Sequence, residues 1–110
     1  MNRAKSIASF AADKKAEDIV VIDIRKVSSI ADYFVICSAS SERKMRAIAD
    51  GIAEGLGETG YSPHHIEGYR DSAWILIDCG SVVAHIFYAP KRRFYNLEGF
   101  WGDAPRLRLN

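Results

Sequence analysis

Residues 74–88 have the sequence WILIDCGSVVAHIFY, in which two apolar runs are separated only by Gly80 and Ser81. Short runs rich in β-branched and aromatic residues predict strands, and glycine at the first of two loop positions favours a type II′ hairpin. A two-residue loop fixes the pairing register, so Trp74 should face Phe87. Opposed residues share one face of a sheet and successive residues alternate between faces. The hairpin therefore has two predicted faces.

These two faces differ in composition. One is nearly all apolar and is expected to lie under the helices: Ile75, Ile77, Cys79, Val82, Ala84, Ile86 and Tyr88. The other, called the mixed face below, combines aromatic and aliphatic side chains with an acid and a histidine: Trp74, Leu76, Asp78, Val83, His85 and Phe87. Aromatic anchors with a few polar groups are typical of protein interfaces. The mixed face is therefore the candidate partner-binding site, and a second buried layer is the alternative.

Flanking segments place the hairpin in an α/β fold. The predicted elements are a helix over 3–16, a strand over 19–24, a strand over 33–37, a helix over 41–58, a weaker strand over 63–67, and a last helix between Pro90 and Gly99. Helices interleaved with strands predict a mixed sheet of four or five strands with helices packed on it. A chain of 110 residues is expected to form a single domain over 1–110.

The clearest helix is the one over 41–58. Its apolar residues recur at helical spacing: Met45, Ile48, Ala49, Ile52, Ala53 and Leu56. Ser40 is the predicted N-cap, and Gly60 is expected to end the segment. Gly51 and Gly55 are unfavourable inside a helix, so we expect them to allow close packing on the sheet.

Composition excludes several classes of protein. No run of about 18 apolar residues predicts a membrane span, and the N-terminus lacks the apolar core of a signal peptide. Cys37 and Cys79 lie in apolar strand-like runs, so they are expected to be reduced and buried. A cytoplasmic location is the resulting expectation.

The net charge of +1 conceals an uneven distribution. Residues 47–90 carry one base against six acids, whereas the segments before and after are each basic. A nucleic-acid binder usually shows a basic domain or stripe. The acidic middle suits a basic protein partner, with a solvated helix face as the alternative.

Motifs for catalysis and metal binding are missing. The sequence contains neither a glycine-rich phosphate loop nor a Gly-x-Ser-x-Gly elbow. The adjacent His64 and His65 should point to opposite faces of a strand, and the cysteines lack zinc spacing. No cofactor and no metal are expected. Asp78 and His85 are diagonal across the hairpin, close enough for a predicted hydrogen bond, which leaves a hydrolytic site open although no nucleophile lies beside them.

Several blocks together resemble one family, the ribosomal silencing factors (RsfS, also called Iojap-like). The blocks are Lys15–Val21, Ser28–Cys37, Arg46–Asp50, Glu67–Gly68, Trp74–Asp78, Val82–Phe87, Phe94–Glu98 and Trp101–Pro105. Each block is weakly specific, but their order and spacing make the resemblance strong. Two mild departures are Ala39-Ser40-Ser41, where the family has Gly-x-Ser, and Phe100, where it has Leu.

The resemblance implies a translational regulator without enzymatic activity. Family members bind the large ribosomal subunit through large-subunit ribosomal protein fourteen and block joining of the small subunit when nutrients are short. The implied fold is similar to that of nucleotidyltransferases, whose paired catalytic acids are missing because the chain has no Asp-x-Asp. The family's contact patch maps onto Trp74, Leu76 and Asp78. No membrane contact and no sequence-specific contact with nucleic acid are implied.

Two alternatives belong to other functional classes. One is a small nucleotidyltransferase-like or hydrolytic enzyme that uses Asp78 and His85. The other is direct RNA binding through the C-terminal bases, which are Lys91, Arg92, Arg93, Arg106 and Arg108. Phe94, Tyr95, Phe100 and Trp101 could stack bases, but the helical spacing of Phe94, Leu97 and Trp101 favours docking onto the sheet. An exposed apolar face would also be compatible with a homodimer.

Overall fold

The computed structural model describes residues 2–70, 73–95 and 105–107. Its elements in chain order are α1 (Asn2–Asp13), β1 (Glu17–Asp23), β2 (Tyr33–Ala39), α2 (Glu42–Glu58), β3 (His65–Glu67), β4 (Trp74–Cys79), β5 (Val82–Tyr88), α3 (Ala89–Tyr95) and β6 (Arg106–Leu107). The predicted order of elements is confirmed as far as α3. The two-residue β6 was not predicted, because two residues are too short to show a strand period.

All six strands belong to one sheet with the order β3-β4-β5-β2-β1-β6. Among the strands that the structure describes, only β2 and β5 pair in parallel, and each of the other neighbouring pairs is antiparallel. The predicted mixed α/β fold is therefore confirmed. The β4–β5 hairpin lies inside the sheet, with β3 beside β4 and β2 beside β5.

The hairpin has the predicted register, from Trp74 opposite Phe87 to Cys79 opposite Val82. Gly80 has a φ of +78°, whereas Ser81 is not among the described non-glycine residues with positive φ. Positive φ at the first loop position alone is the signature of a type II′ turn. The turn also joins the sheet, because the carbonyl of Ser81 accepts the backbone N–H of Asp32 at 2.7 Å.

Helices α1 and α2 cover the apolar face of the hairpin. Six of its seven predicted residues are buried, which are Ile75, Ile77, Cys79, Val82, Ala84 and Ile86, and Tyr88 is half-buried. They pack with the apolar side of α2 and with α1 into the larger of two cores. Cys37 and Cys79 are free and buried, as predicted, and burial raises the pKa of each thiol to about 12.

The N-cap of helix α2 lies one residue later than predicted. Ser41, not Ser40, is the N-cap: its backbone is extended, and its hydroxyl accepts the N–H of Lys44 at 3.1 Å. At the other end, Gly60 has a φ of +85°, so the predicted end of the helix is confirmed. Among the described residues, no helix is long and apolar enough to cross a membrane.

Gly51 and Gly55 in α2 face a helix, and the prediction that they pack on the sheet is wrong. A Cβ atom at Gly55 would lie 2.6 Å from the ring of Phe10, and one at Gly51 would lie 2.6 Å from Cγ of Lys14. Phe10 belongs to α1, and Lys14 follows the last residue of that helix. The missing side chains therefore allow α1 and α2 to approach closely while α2 keeps its apolar side on the sheet.

The last predicted helix is present as α3 from Ala89 to Tyr95. Its guanidinium-bearing Arg92 donates a 2.9 Å hydrogen bond to the hydroxyl of Ser38. Phe34, Ile36 and Ser38 occupy every second position of β2 and therefore share one face of the sheet. Through Arg92, α3 thus reaches the face opposite α1 and α2. The predicted continuation to Gly99, together with the side chains of the C-terminal aromatic cluster, lies outside the described residues.

Candidate functional site

The structure divides the mixed face into a buried part and a partly exposed part. His85 and Phe87 are 3% and 0% exposed. The other four residues, Trp74, Leu76, Asp78 and Val83, are half-buried. The second buried layer that the sequence left open is therefore present at His85 and Phe87. The three β4 residues of this face, Trp74, Leu76 and Asp78, are called the β4 row below, and all of them reach the surface.

The parallel pairing of β2 with β5 explains this burial. It places Phe34 beside Val83 and Ile36 beside His85 on the same face. Behind them, β1 adds further apolar side chains, and the result is a second core made of Ile22, Ile24, Ala31, Phe34, Ile36 and Phe87. Trp74 and Val83 pack against its margin. The mixed face therefore belongs in part to this second core, and only its edge reaches the surface.

Trp74 is tied to β5 by two aromatic contacts and a hydrogen bond. Its ring centroid lies 5.0 Å from that of Phe87 and 5.7 Å from that of His85. Its indole N–H donates to Nδ1 of His85 at 3.0 Å. A large, half-exposed aromatic side chain with a satisfied polar group is a common anchor in protein interfaces.

The predicted hydrogen bond between His85 and Asp78 is wrong. The Asp78 carboxylate instead accepts the backbone N–H of Gly80 at 3.0 Å, because Asp78 lies next to the turn. Nδ1 of His85 already accepts the indole N–H of Trp74. Burial lowers the pKa of His85 to about 4, so the imidazole is neutral near pH 7. The acid and the histidine do not form a catalytic pair, which removes the geometric support for the hydrolytic alternative.

Strand β3 extends the mixed face with two residues that sequence reasoning missed. His65 pairs with Asp78 and Glu67 pairs with Leu76, so both lie on the same side of the sheet as the β4 row. Both are exposed, and Nε2 of His65 lies 3.1 Å from a carboxylate oxygen of Glu67. Six residues connect β3 to β4, more than the two of a tight hairpin turn, so the length of the connection does not set this register. In the sequence, only the spacing of two residues along the predicted strand over 63–67 indicates that His65 and Glu67 share a face.

The acidic residues of the middle segment do not form one patch. Asp50, Glu54 and Glu58 lie exposed on α2, in the layer opposite the mixed face. Part of the acidic charge is therefore a solvated helix face, the alternative that the sequence left open. Of the acids of this segment that the structure describes, Glu67 and Asp78 lie on the side of the mixed face. Their placement beside Leu76 gives that side a local negative charge.

The bases proposed for RNA binding are dispersed where they are described. Arg92 is half-buried against Ser38, whereas Arg106 is exposed on β6 at the far edge of the sheet. Lys91 is exposed at the start of α3, and the side chains of Arg93 and Arg108 lie outside the described residues. Within the described part of the chain, no three His, Cys, Asp or Glu side chains are grouped as metal ligands.

Comparison with known proteins gives a consistent result. The family model RsfS, described as "Ribosomal silencing factor during starvation", matches residues 1–110. Ribosomal silencing factor RsfS of Bacillus subtilis is 44% identical over 110 residues, which cover 96% of this chain and 93% of that protein. The RsfS of Halalkalibacterium halodurans is 44% identical over 97 residues, covering 88% and 83%. The chloroplastic protein Iojap of Zea mays is 36% identical over 106 residues, covering 96% of this chain but 46% of its own length.

Solved structures share the fold. A crystal structure of a protein from Chromobacterium violaceum superposes with a TM-score of 0.89 at 29% identity, covering 92% of this chain and 84% of that one. A crystal structure from Bacillus halodurans gives a TM-score of 0.82 at 38% identity, with 94% of each chain covered. Together with the match along the whole sequence, these similarities show that the chain belongs to the RsfS family of ribosomal silencing factors.

Proposed function

We propose that this protein binds the large ribosomal subunit through large-subunit ribosomal protein fourteen and thereby blocks joining of the small subunit. Membership of a family described as silencing factors during starvation supports a role in lowering translation when nutrients are short. The proposal goes further than the family description, because it names the docking protein and a steric mechanism.

The β4 row is the observation that carries the docking proposal. Trp74, Leu76 and Asp78 occur at every second position, all half-buried and all on one side of the sheet. Buried Phe87 lies directly across from Trp74 and supports it from below. An aromatic anchor on a rigid base, with an aliphatic neighbour and a charge at the rim, is the arrangement expected of an interface hot spot.

Local charge favours a basic protein as the partner. The Asp78 carboxylate is held in place by the N–H of Gly80, so it keeps a fixed position at the end of the β4 row. Glu67, which is exposed, adds a second acid beside Leu76. Fixed acids at the rim of an interface steer a basic partner and set its orientation more than they add affinity.

The proposed mechanism requires occupancy and no chemistry. A protein that covers part of the subunit-facing surface competes with the small subunit, and its effect depends on its concentration relative to its dissociation constant. Neither an acid–base pair nor a metal site is needed for this. We accordingly propose that the protein is not an enzyme.

A binding comparison tests the docking partner. The purified protein is presented with isolated ribosomal protein fourteen, with intact large subunits, and with ribosomal RNA free of protein. We expect saturable binding to the isolated protein and to the subunit, and weakening of both by about 30-fold or more with Trp74→Ala. Tight binding to the naked RNA with a steep salt dependence, and none to the isolated protein, would overturn the proposal in favour of RNA binding.

A further inference from the structure

We propose that His85 is a positioning residue, which holds the indole ring of Trp74 in its docking orientation by accepting the indole N–H. The inference rests on the proposed function, since it concerns the same docking surface. It assigns His85 a different role from the direct partner contact that its place on the mixed face predicts. With 3% of its surface exposed, His85 cannot make an extensive contact with a partner, but Trp74 beside it can.

Geometry supports a specific contact between the two side chains. His85 faces Leu76, so Trp74 is its diagonal neighbour across the hairpin. The N–H of the indole lies 3.0 Å from Nδ1, and the ring planes are inclined by 43°, so the two rings do not stack. The contact therefore fixes the rotation of the indole, which packing against Phe87 alone would leave less defined.

The hydrogen bond also determines the tautomer of the imidazole. An indole nitrogen only donates, so Nδ1 must carry the lone pair, and a neutral imidazole then carries its hydrogen on Nε2. Nε2 is buried and has no hydrogen-bond partner among the described residues. A buried N–H without an acceptor opposes folding, and an apolar side chain at position 85 would avoid that penalty. Folding stability alone therefore does not account for a histidine here, whereas the acceptor that it offers to Trp74 does.

His85 is itself held firmly enough to act as a fixed acceptor. Its ring and that of Phe34 meet edge to face, with centroids 4.6 Å apart and planes at 66°. On the same strand, the ring of Phe87 lies nearly parallel to it, at 11° and 6.4 Å. Burial keeps the imidazole neutral near pH 7, so the lone pair of Nδ1 stays available. A rotamer that is fixed before binding loses less entropy on binding, which increases affinity without a new contact.

Two variants separate the acceptor from the packing. His85→Leu removes the acceptor and the buried N–H, whereas His85→Asn places an amide oxygen close to the position of Nδ1. Ile86→Val is the matched control, because Ile86 is fully buried on the opposite face of the same strand. The first readout is the indole N–H resonance of Trp74 in an NMR spectrum, assigned with Trp74→Phe, together with its rate of hydrogen exchange. The second is the dissociation constant for purified large ribosomal subunits.

With His85→Leu, we expect the indole resonance to shift, its exchange to accelerate, and the dissociation constant to rise about tenfold. The thermal midpoint should not fall below that of the Ile86→Val control. His85→Asn should restore the protected resonance and most of the affinity. A residue with a merely structural role would instead lower the midpoint and leave the indole resonance unchanged.

Two results would overturn the inference while leaving the proposed function intact. One is an unchanged indole resonance in His85→Leu, and the other is a shifted resonance with wild-type affinity. If the wild type itself does not bind large subunits, the proposed function fails and this inference fails with it. Should the leucine variant not fold, Trp74→Phe, which keeps a ring and removes the donor, must weaken binding by a similar factor, and wild-type affinity in that variant would overturn the inference.

Discussion

The rings of Trp74 and Phe87 lie 5.0 Å apart between centroids and are tilted by 34°, and of the two only Trp74 reaches the surface. This pair joins the second core to the proposed docking surface. Because Phe87 is fully buried, the indole rests on a base that cannot move without disturbing the core. Truncation of the exposed member should therefore affect binding much more than folding.

Replacement of Trp74 by alanine tests that separation. We expect Trp74→Ala to weaken binding to the large subunit by about 2–4 kcal/mol. The free energy of unfolding should fall by less than the roughly 3–5 kcal/mol typical of a truncated core aromatic residue. Ile77→Val, which alters a fully buried residue on the other face, is the control and should lower stability by about 1 kcal/mol without changing affinity. Unfolding of the Trp74 variant before any loss of binding would contradict this.

The negative charge of Asp78 is expected to increase the rate of association with a basic partner. Asp78→Asn keeps an oxygen that can accept the N–H of Gly80, so it removes the charge and preserves the turn. Binding should weaken by about 0.5–1 kcal/mol, chiefly through a slower association rate. Asp78→Arg should weaken it by about 2 kcal/mol or more, because a basic partner would repel it.

A matched charge reversal on α2 provides the control for Asp78→Arg. Glu54 is exposed in the layer opposite the mixed face, so Glu54→Arg changes the net charge equally. Surface plasmon resonance with immobilised large subunits should show wild-type kinetics for this variant. Equal weakening by both reversals would mean that net charge, and not the position of Asp78, controls binding.

The predictive value of the sequence was greatest where a short local constraint decides the structure. A two-residue loop sets the register from Trp74 to Phe87, and that register is confirmed. The burial of His85 depends instead on Ile36, which becomes its neighbour only when β2 pairs in parallel with β5. The neighbour of Gly55 is Phe10, and the docking of α1 on α2 leaves no mark in the local pattern of either helix. The sequence therefore predicted which hairpin residues share a face, but it did not show which of them are buried and which reach the surface.

Close packing of the two long helices leads to a stability prediction. An added Cβ at Gly55 would lie 2.6 Å from the ring of Phe10, and that ring must shift to admit it. We expect Gly55→Ala to lower the free energy of unfolding by about 1–3 kcal/mol, despite the better helix propensity of alanine. Gly57 is the control in the same helix, because nothing lies within 4 Å of a Cβ added there.

Gly57→Ala should raise stability by up to about 1 kcal/mol, the propensity difference alone. Urea unfolding of both variants measures the contrast between a crowded and an open position. Equal stability of Gly55→Ala and Gly57→Ala would contradict the close approach of α1 and α2 at Phe10.

The buried imidazole of His85 predicts a loss of stability in acid. Its pKa is lowered from 6.5 to about 4 in the folded protein, so between these values the unfolded chain binds more protons than the folded one. Stability from this group is complete above pH 6.5, declines as the pH falls toward 4, and changes no further below it. The loss amounts to about 3 kcal/mol at most. Unfolding free energies measured from pH 7 to 4 should therefore fall less steeply for His85→Leu than for the wild type, and equal slopes would contradict the burial of a neutral histidine.

Subunit joining is the measurement that tests the proposed function most directly. Purified small and large subunits are mixed with increasing amounts of the protein, and the assembled fraction is followed by light scattering and gradient sedimentation. We expect a dose-dependent fall in assembly for the wild type, which Trp74→Ala reproduces only at doses about 30-fold or more higher. Assembly that is unaffected at a saturating dose of bound wild-type protein would contradict it.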